Sequence, residues 1–182
     1  MHRFFRRECI IIKGDVLAVI DDGSGRAEVV RFLITKLYKI HVLGIRLVLV
    51  PASSAPEDFA SLGRKGTLAQ ERATKVLVPI TLDEVVQDFL GEIFSGKEKK
   101  AIDNVGGVAL YGVFEEVLFC DVQAYGKLRG IAVQDVRPAD PFVMQVRAFI
   151  ETIEERYPGT MYSLKQSADF WRAQSFLAKR EK

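Results

Sequence analysis

Gly14-Asp-Val-Leu-Ala-Val-Ile-Asp-Asp-Gly-Ser-Gly-Arg-Ala-Glu-Val-Val-Arg-Phe-Leu-Ile-Thr-Lys-Leu-Tyr-Lys39 is the stretch whose reading decides the fold. Val16 to Ile20 is an unbroken apolar run of strand length, the pattern of a strand buried on both faces. Asp21 to Arg26 is a small polar loop with two glycines. Val29, Val30, Leu33, Ile34 and Leu37 then recur at spacings of three and four, which draws one apolar stripe along a helix. Strand, glycine loop and helix in that order place the loop at the carboxyl end of a strand and at a helix amino terminus. Unpaired N–H groups and the helix dipole favour an anion there.

Outward from this unit the alternation continues. Ile45 to Val50 reads as a second strand, ended by Pro51, and a right-handed crossover makes it parallel to the first. Residues 52–66 are rich in Ser, Pro and Gly and read as a loop, with Thr67 to Thr74 helical behind it. Lys75 to Ile80 is a third buried strand. Thr81 and Glu84 form the S/T-x-x-E signature of a capping box, followed by Val85, Val86, Phe89, Leu90 and Ile93 on one helical face and Gly96 at the end. Val108 to Tyr111 and Val113 to Val122 predict one or two more strands. Asp140 and Pro141 open a helix over 142–157, and a turn at Pro158 and Gly159 leads to a last helix over 164–179. Strands alternating with helices predict an α/β fold with a mainly parallel sheet. The expected organisation is a single domain over 1–182, with a basic leader at 1–13 and a helical extension at 160–182.

Composition narrows the function classes. The chain has 182 residues, 48% hydrophobic and 27% charged, as an ordinary globular protein does. No apolar stretch reaches the roughly 18 residues of a membrane span, and no signal-peptide pattern opens the chain, so a cytoplasmic protein without a membrane partner is expected. Cys9 and Cys120 are the only cysteines and His2 and His41 the only histidines. That argues against zinc, and Cys120 within the apolar run Val117 to Cys120 is expected to be buried and inert. The formal charge of +2 does not select a partner. Arg3, Arg6 and Arg7 beside two phenylalanines, and Lys97, Lys99 and Lys100 in a charged loop, are the candidate RNA contacts.

The loops after the first and third strands are where chemistry is expected, sharing one cleft. Gly23 and Gly25 permit positive φ, so successive N–H groups can face an anion. Asp21, Asp22 and Asp83 are candidate Mg²⁺ ligands on a nucleotide, Ser24 belongs to the same loop, and Arg26 can pair with a phosphate in a fork. A plain structural turn is the other reading of the same residues. No activated nucleophile is legible.

Residues 14–26 resemble the first strand and loop of the PP-loop ATP pyrophosphatases, especially the tRNA 2-thiolation branch, where a hydrophobic strand runs into an SGGxDS loop. Residues 64–84 are similar to that family's helix, strand and GHxxDD segment. Residues 149–164 resemble the helix and Pro-containing turn near the end of the thiolation enzymes' catalytic domain. The resemblance implies a Rossmann-like, adenine nucleotide alpha hydrolase-like three-layer fold. It also implies ATP with Mg²⁺, adenylation of a substrate oxygen, and tRNA or an active thiolation enzyme as partner. Along the loop, Asp21 stands where the family has serine, Asp22 and Gly23 where it has two glycines, Gly25 where it has aspartate and Arg26 where it has the last serine. Val78 and Pro79 stand where Gly and His are expected; Asp83 matches the first acid and Glu84 replaces the second. With the cysteine sets of the thiolation enzymes missing, no iron-sulfur cluster is expected.

The opening strand and acidic pair are also similar to a response-regulator receiver domain, although no phosphorylatable acid follows Val50. Three functions are expected in turn: a catalytically impaired homologue that binds tRNA or a partner, an active adenylating enzyme with a variant loop, and an oligomerisation module. A homo-oligomer fits any of them.

Overall fold

The structure, a computed structural model, describes residues 11–51, 62, 66–96, 104–135 and 140–180, without the side chains of 175–180. The apolar run becomes β1 (Val16–Asp21), and the glycine loop delivers the chain into α1 (Arg26–Leu37). A short turn, α2 (Ile40–Leu43), leads to β2 (Arg46–Pro51). Then come α3 (Thr67–Gln70), β3 (Lys75–Thr81), α4 (Leu82–Ser95), β4 (Asn104–Val105) and β5 (Val108–Phe114). The chain closes with α5 (Phe119–Leu128), α6 (Pro141–Arg156) and α7 (Thr160–Arg180).

The five strands lie in the order β2-β1-β3-β5-β4, making the mainly parallel α/β sheet that the alternation predicts. β1 pairs in parallel with β2 from Val16 opposite Arg46 to Asp21 opposite Pro51. On its other edge it pairs in parallel with β3 from Leu17 opposite Lys75 to Val19 opposite Leu77. β1 is therefore central, which is why Leu17, Ala18, Val19 and Ile20 are all buried rather than alternating. From β1 the chain goes to one side for β2 and returns to the other for β3, so the carboxyl end of β1 is a topological switch point. β4 and β5 form an antiparallel pair.

Two compact units divide the chain. The first holds residues 1–80, 101–114 and 120–135. One face of its sheet buries Ala18, Ile20, Val50, Leu62, Leu68, Val76 and Val105. At the amino end of β1, Asp15 accepts from the Ile12 N–H at 2.8 Å, the Thr74 hydroxyl at 2.9 Å and the Lys75 ammonium. Burial pushes the Asp15 carboxyl up, yet these donors outweigh it and hold the group below its usual range.

The second unit holds residues 81–100, 115–119 and 136–182. Leu82, Val86, Phe89 and Leu90 of α4 pack with Val146 and Ile150 of α6 and with Met161 and Ala168 of α7. The capping signal is realised: the Glu84 carboxylate accepts the Thr81 N–H at 2.8 Å and its hydroxyl at 3.0 Å. Asp140 caps α6 by accepting from Phe142 N–H at 2.8 Å, with Pro141 at the first helical position. Glu154 accepts from Gly159 at 2.7 Å and from Met161 at 2.9 Å, so the turn is clamped and α7 begins at Thr160, four residues before the pattern suggested.

Two expectations are corrected here. The strand foreseen through Val122 stops at Phe114, and Phe119–Leu128 is helical. Val122 and Gly126, four apart, are its buried positions, and a small residue hides half of that stripe from an apolar pattern. Cys120, in the first turn of this helix, is exposed rather than buried.

Candidate functional site

The loop after β1 begins where the strand ladder ends, at Asp21. Gly23 and Gly25 have φ of +78° and +83°, the left-handed conformation that an anion cradle requires. The side chains of the loop, however, turn inward. The Asp21 carboxylate accepts the Gly23 N–H at 3.0 Å, and the Asp22 carboxylate accepts the Ser24 N–H at 3.0 Å. The Ser24 hydroxyl, itself buried, accepts the Arg26 N–H at 3.3 Å and the Arg26 Nε at 2.9 Å. The far end of the guanidinium closes an ion pair with Asp22, the two side chains being 7% and 10% exposed. Burial raises the Asp22 carboxyl, but Ser24 and then Arg26 pull it below its usual value. Asp22 is thus a buried anion already matched by a buried cation.

A segment outside the sequence reading completes this arrangement. After α5, residues 131–135 cross the loop within the first unit, and the Gln134 N–H donates to the Ser24 carbonyl at 2.8 Å. A Cβ on Gly25 would stand 2.0 Å from the Ala132 carbonyl oxygen, so this position admits only glycine. Gln123 Nε2 holds the Val133 carbonyl at 3.2 Å, and Val133 is buried. Gly126 lets this strap lie against α5, since a Cβ there would meet Val133 Cγ2 at 2.7 Å. The pair Gly126 and Gly130 was the available signal for a tight return, but it does not say which loop the chain returns to.

Of the predicted site residues, Asp21, Asp22, Gly23, Ser24, Gly25 and Arg26 come together as one hydrogen-bonded loop. Asp83 belongs to the second unit. Its carboxylate accepts the Phe119 N–H at 2.6 Å, anchoring the start of α5. Burial dominates and pushes Asp83 up from its usual value; the Phe119 bond and the Arg147 charge oppose this and Glu84 adds to it. Glu115 in the same unit is also pushed up by burial, against the pull of Lys165. The RNA candidates Arg3, Arg6, Arg7, Lys97, Lys99 and Lys100 lie outside the described residues, as does Cys9. Among the described residues no three His, Cys, Asp or Glu side chains converge to hold a metal, and no helix is long and apolar enough to cross a membrane.

No protein-family model matches the chain. No curated protein matches it either. Among solved structures, it is similar to the U34-tRNA thiolase NcsA from Methanococcus maripaludis with its 4Fe-4S cluster. The TM-score is 0.70 at 13% sequence identity, over 93% of this chain and 76% of that one. The expectation of a cofactor set without an iron-sulfur cluster is thereby corrected, since a solved protein of this fold carries one. The described residues do not themselves assemble a ligand set for such a cluster. What this chain shares with the thiolase, at that identity, is its Rossmann-like fold.

Proposed function

We propose that this chain is a PP-loop-type protein related to tRNA thiolation whose nucleotide loop has become a structural turn. It works as a tRNA-binding or partner-binding subunit. The observation that carries the reading is the Ala132 carbonyl at Gly25. The Ala132 carbonyl oxygen takes up the space beside Gly25 that a Cβ would need, and an acceptor oxygen packed against the loop repels an anion brought to it. Two further features support it. The Gly23, Ser24 and Arg26 N–H groups are already bonded to side chains of the loop. Arg26, the residue suited to a phosphate, is paired with Asp22. The shared fold with a tRNA thiolase supports the choice of tRNA.

Calorimetric titration of ATP with Mg²⁺, with AMP as control, followed by titration of purified tRNA and assay of pyrophosphate, tests this. Saturable tRNA or partner binding without ATP turnover is the expected outcome. Micromolar Mg²⁺-dependent ATP binding with robust pyrophosphate release would overturn it in favour of an adenylating enzyme.

A further inference from the structure

The ends of α1 and α5 carry aromatic and cationic side chains that the loop does not use. Phe32 and Lys36 stand four apart on α1, and Tyr125 and Arg129 stand four apart across the end of α5, so each pair shares a helix face. Lys36 Nζ lies 5.6 Å from the Phe32 ring centre. The Arg129 guanidinium carbon lies 5.4 Å from the Phe32 ring centre and 5.4 Å from that of Tyr125. The two rings meet edge to face at 6.4 Å. Both rings are half-buried, while Lys36 and Arg129 are exposed.

Two cations are therefore held on one aromatic seat, each within the range where the ring quadrupole attracts it. Arg31, on the same helix, has its charge matched by Glu28 at 2.6 Å. Among the described residues no carboxylate pairs with Lys36 or Arg129. Helix dipoles favour a cation at each carboxyl end, but that does not require Arg129 to reach across to a ring of the other helix. The result is two like charges, which an arriving anion relieves, beside two half-buried rings set edge to face.

We propose that Phe32, Lys36, Tyr125 and Arg129 form an RNA-docking platform, the cations meeting phosphates and the half-buried rings offering an unpaired base an aromatic contact. The proposal rests on the tRNA reading above and gives it a surface. A nucleotide complements both features at once, charge and aromatic surface, whereas an acidic peptide complements only the charge.

Fluorescence anisotropy of labelled tRNA with the full chain across a salt series provides the test. Lys36→Glu with Arg129→Glu is expected to weaken binding at least tenfold. Loss of two phosphate contacts lowers the slope of log affinity against log salt by about 1.4, at about 0.7 per contact to a single strand. Lys36→Gln with Arg129→Gln moves both readings the same way by less, and Tyr125→Leu weakens binding about fivefold with the slope kept. Arg156→Glu, whose guanidinium lies 5.7 Å over the single ring of Tyr157, stays within about twofold. Urea midpoints confirm that each variant is folded. If wild-type protein binds tRNA and the double variants do so with unchanged affinity and slope, the platform is wrong and the tRNA reading survives. If wild-type protein binds no tRNA, both fall. Binding of polyglutamate that the double variants lose, with tRNA binding untouched, would also overturn the platform.

Discussion

Asp22 and Asp83 follow two parallel strands of one sheet at matching strand-to-helix junctions, yet their environments push them in opposite directions. Asp22 is buried against Arg26 four residues away and Ser24 two residues away, so its partners arrive with the same turn. Its carboxyl ends below the usual value. Asp83 is half-buried; it accepts the N–H of Phe119, 36 residues on, and the Arg147 charge helps, yet desolvation wins. An acid whose partners arrive with its own turn keeps its charge; one that leans on a donor 36 residues away is pushed towards its neutral form. The first kind builds a turn.

The largest test of this contrast is Arg26→Ala. Removing one partner of a buried ion pair leaves an uncompensated charge, and a loss of about 3 kcal/mol is expected from urea unfolding. Asp22→Ala should cost a similar amount, and Asp22→Ala with Arg26→Ala together less than the sum of the two.

Gly25→Ala comes next. The residue has φ of +83°, and the new Cβ would meet the Ala132 oxygen at 2.0 Å, so the strap must move. A loss of about 2 to 3 kcal/mol should appear in urea, with faster amide exchange at Gln134. Gly23→Ala has a similar φ of +78° with nothing within 4 Å, and should cost only the backbone term of about 1 kcal/mol. Equal losses at the two glycines would show that the strap does not press on the loop.

A pH series sharpens the comparison further. Asp15 and Asp22 have lowered folded values, so their stabilisation is fully present above the unfolded value of about 3.9 and is lost as pH falls through the folded values. Asp83 has a raised folded value and contributes the opposite sign. Its cost is complete above its folded pKa and is relieved as pH falls through that value towards about 3.9. Urea midpoints of wild type and of Asp22→Asn against pH should converge in acid.

The smallest effect is Asp83→Asn. The amide oxygen can still accept the Phe119 N–H without burying a charge, so stability at neutral pH should hold or rise by up to about 1 kcal/mol. The difference from wild type should shrink as pH falls towards 4. A marked loss at neutral pH would mean that the charge itself, paired with Arg147, holds the start of α5.

The local signals were legible because their causes lie within a few residues. β1 and α1 follow from apolar spacing, the α4 start from Thr81 and Glu84, and the α6 start from Asp140 and Pro141. The six loop residues are consecutive, so their grouping is legible from the chain, but the bonds by which Asp21, Asp22, Gly23, Ser24 and Arg26 satisfy one another are visible only in the folded loop. The strand expected through Val122 overlaps only the first turn of α5, and the helix escapes an apolar pattern because its buried stripe contains Gly126. The apolar neighbours of Cys120 suggest a core position, yet a residue in the first turn of a helix is placed by the helix and not by its flanks.

By itself, the sequence determined the alternation of strand and helix, the burial of β1 on both faces and the position of the glycine loop at its carboxyl end, since periodicity and glycine φ are properties of short segments. Only the tertiary structure decided what the loop faces. The strap of residues 131–135 arrives from more than a hundred residues away to place a carbonyl at Gly25 and a donor on Ser24. Whether a ring of N–H groups is open to an anion depends on which acceptors fold back onto it, and that is settled by contacts between distant segments rather than by the spacing of residues along one of them.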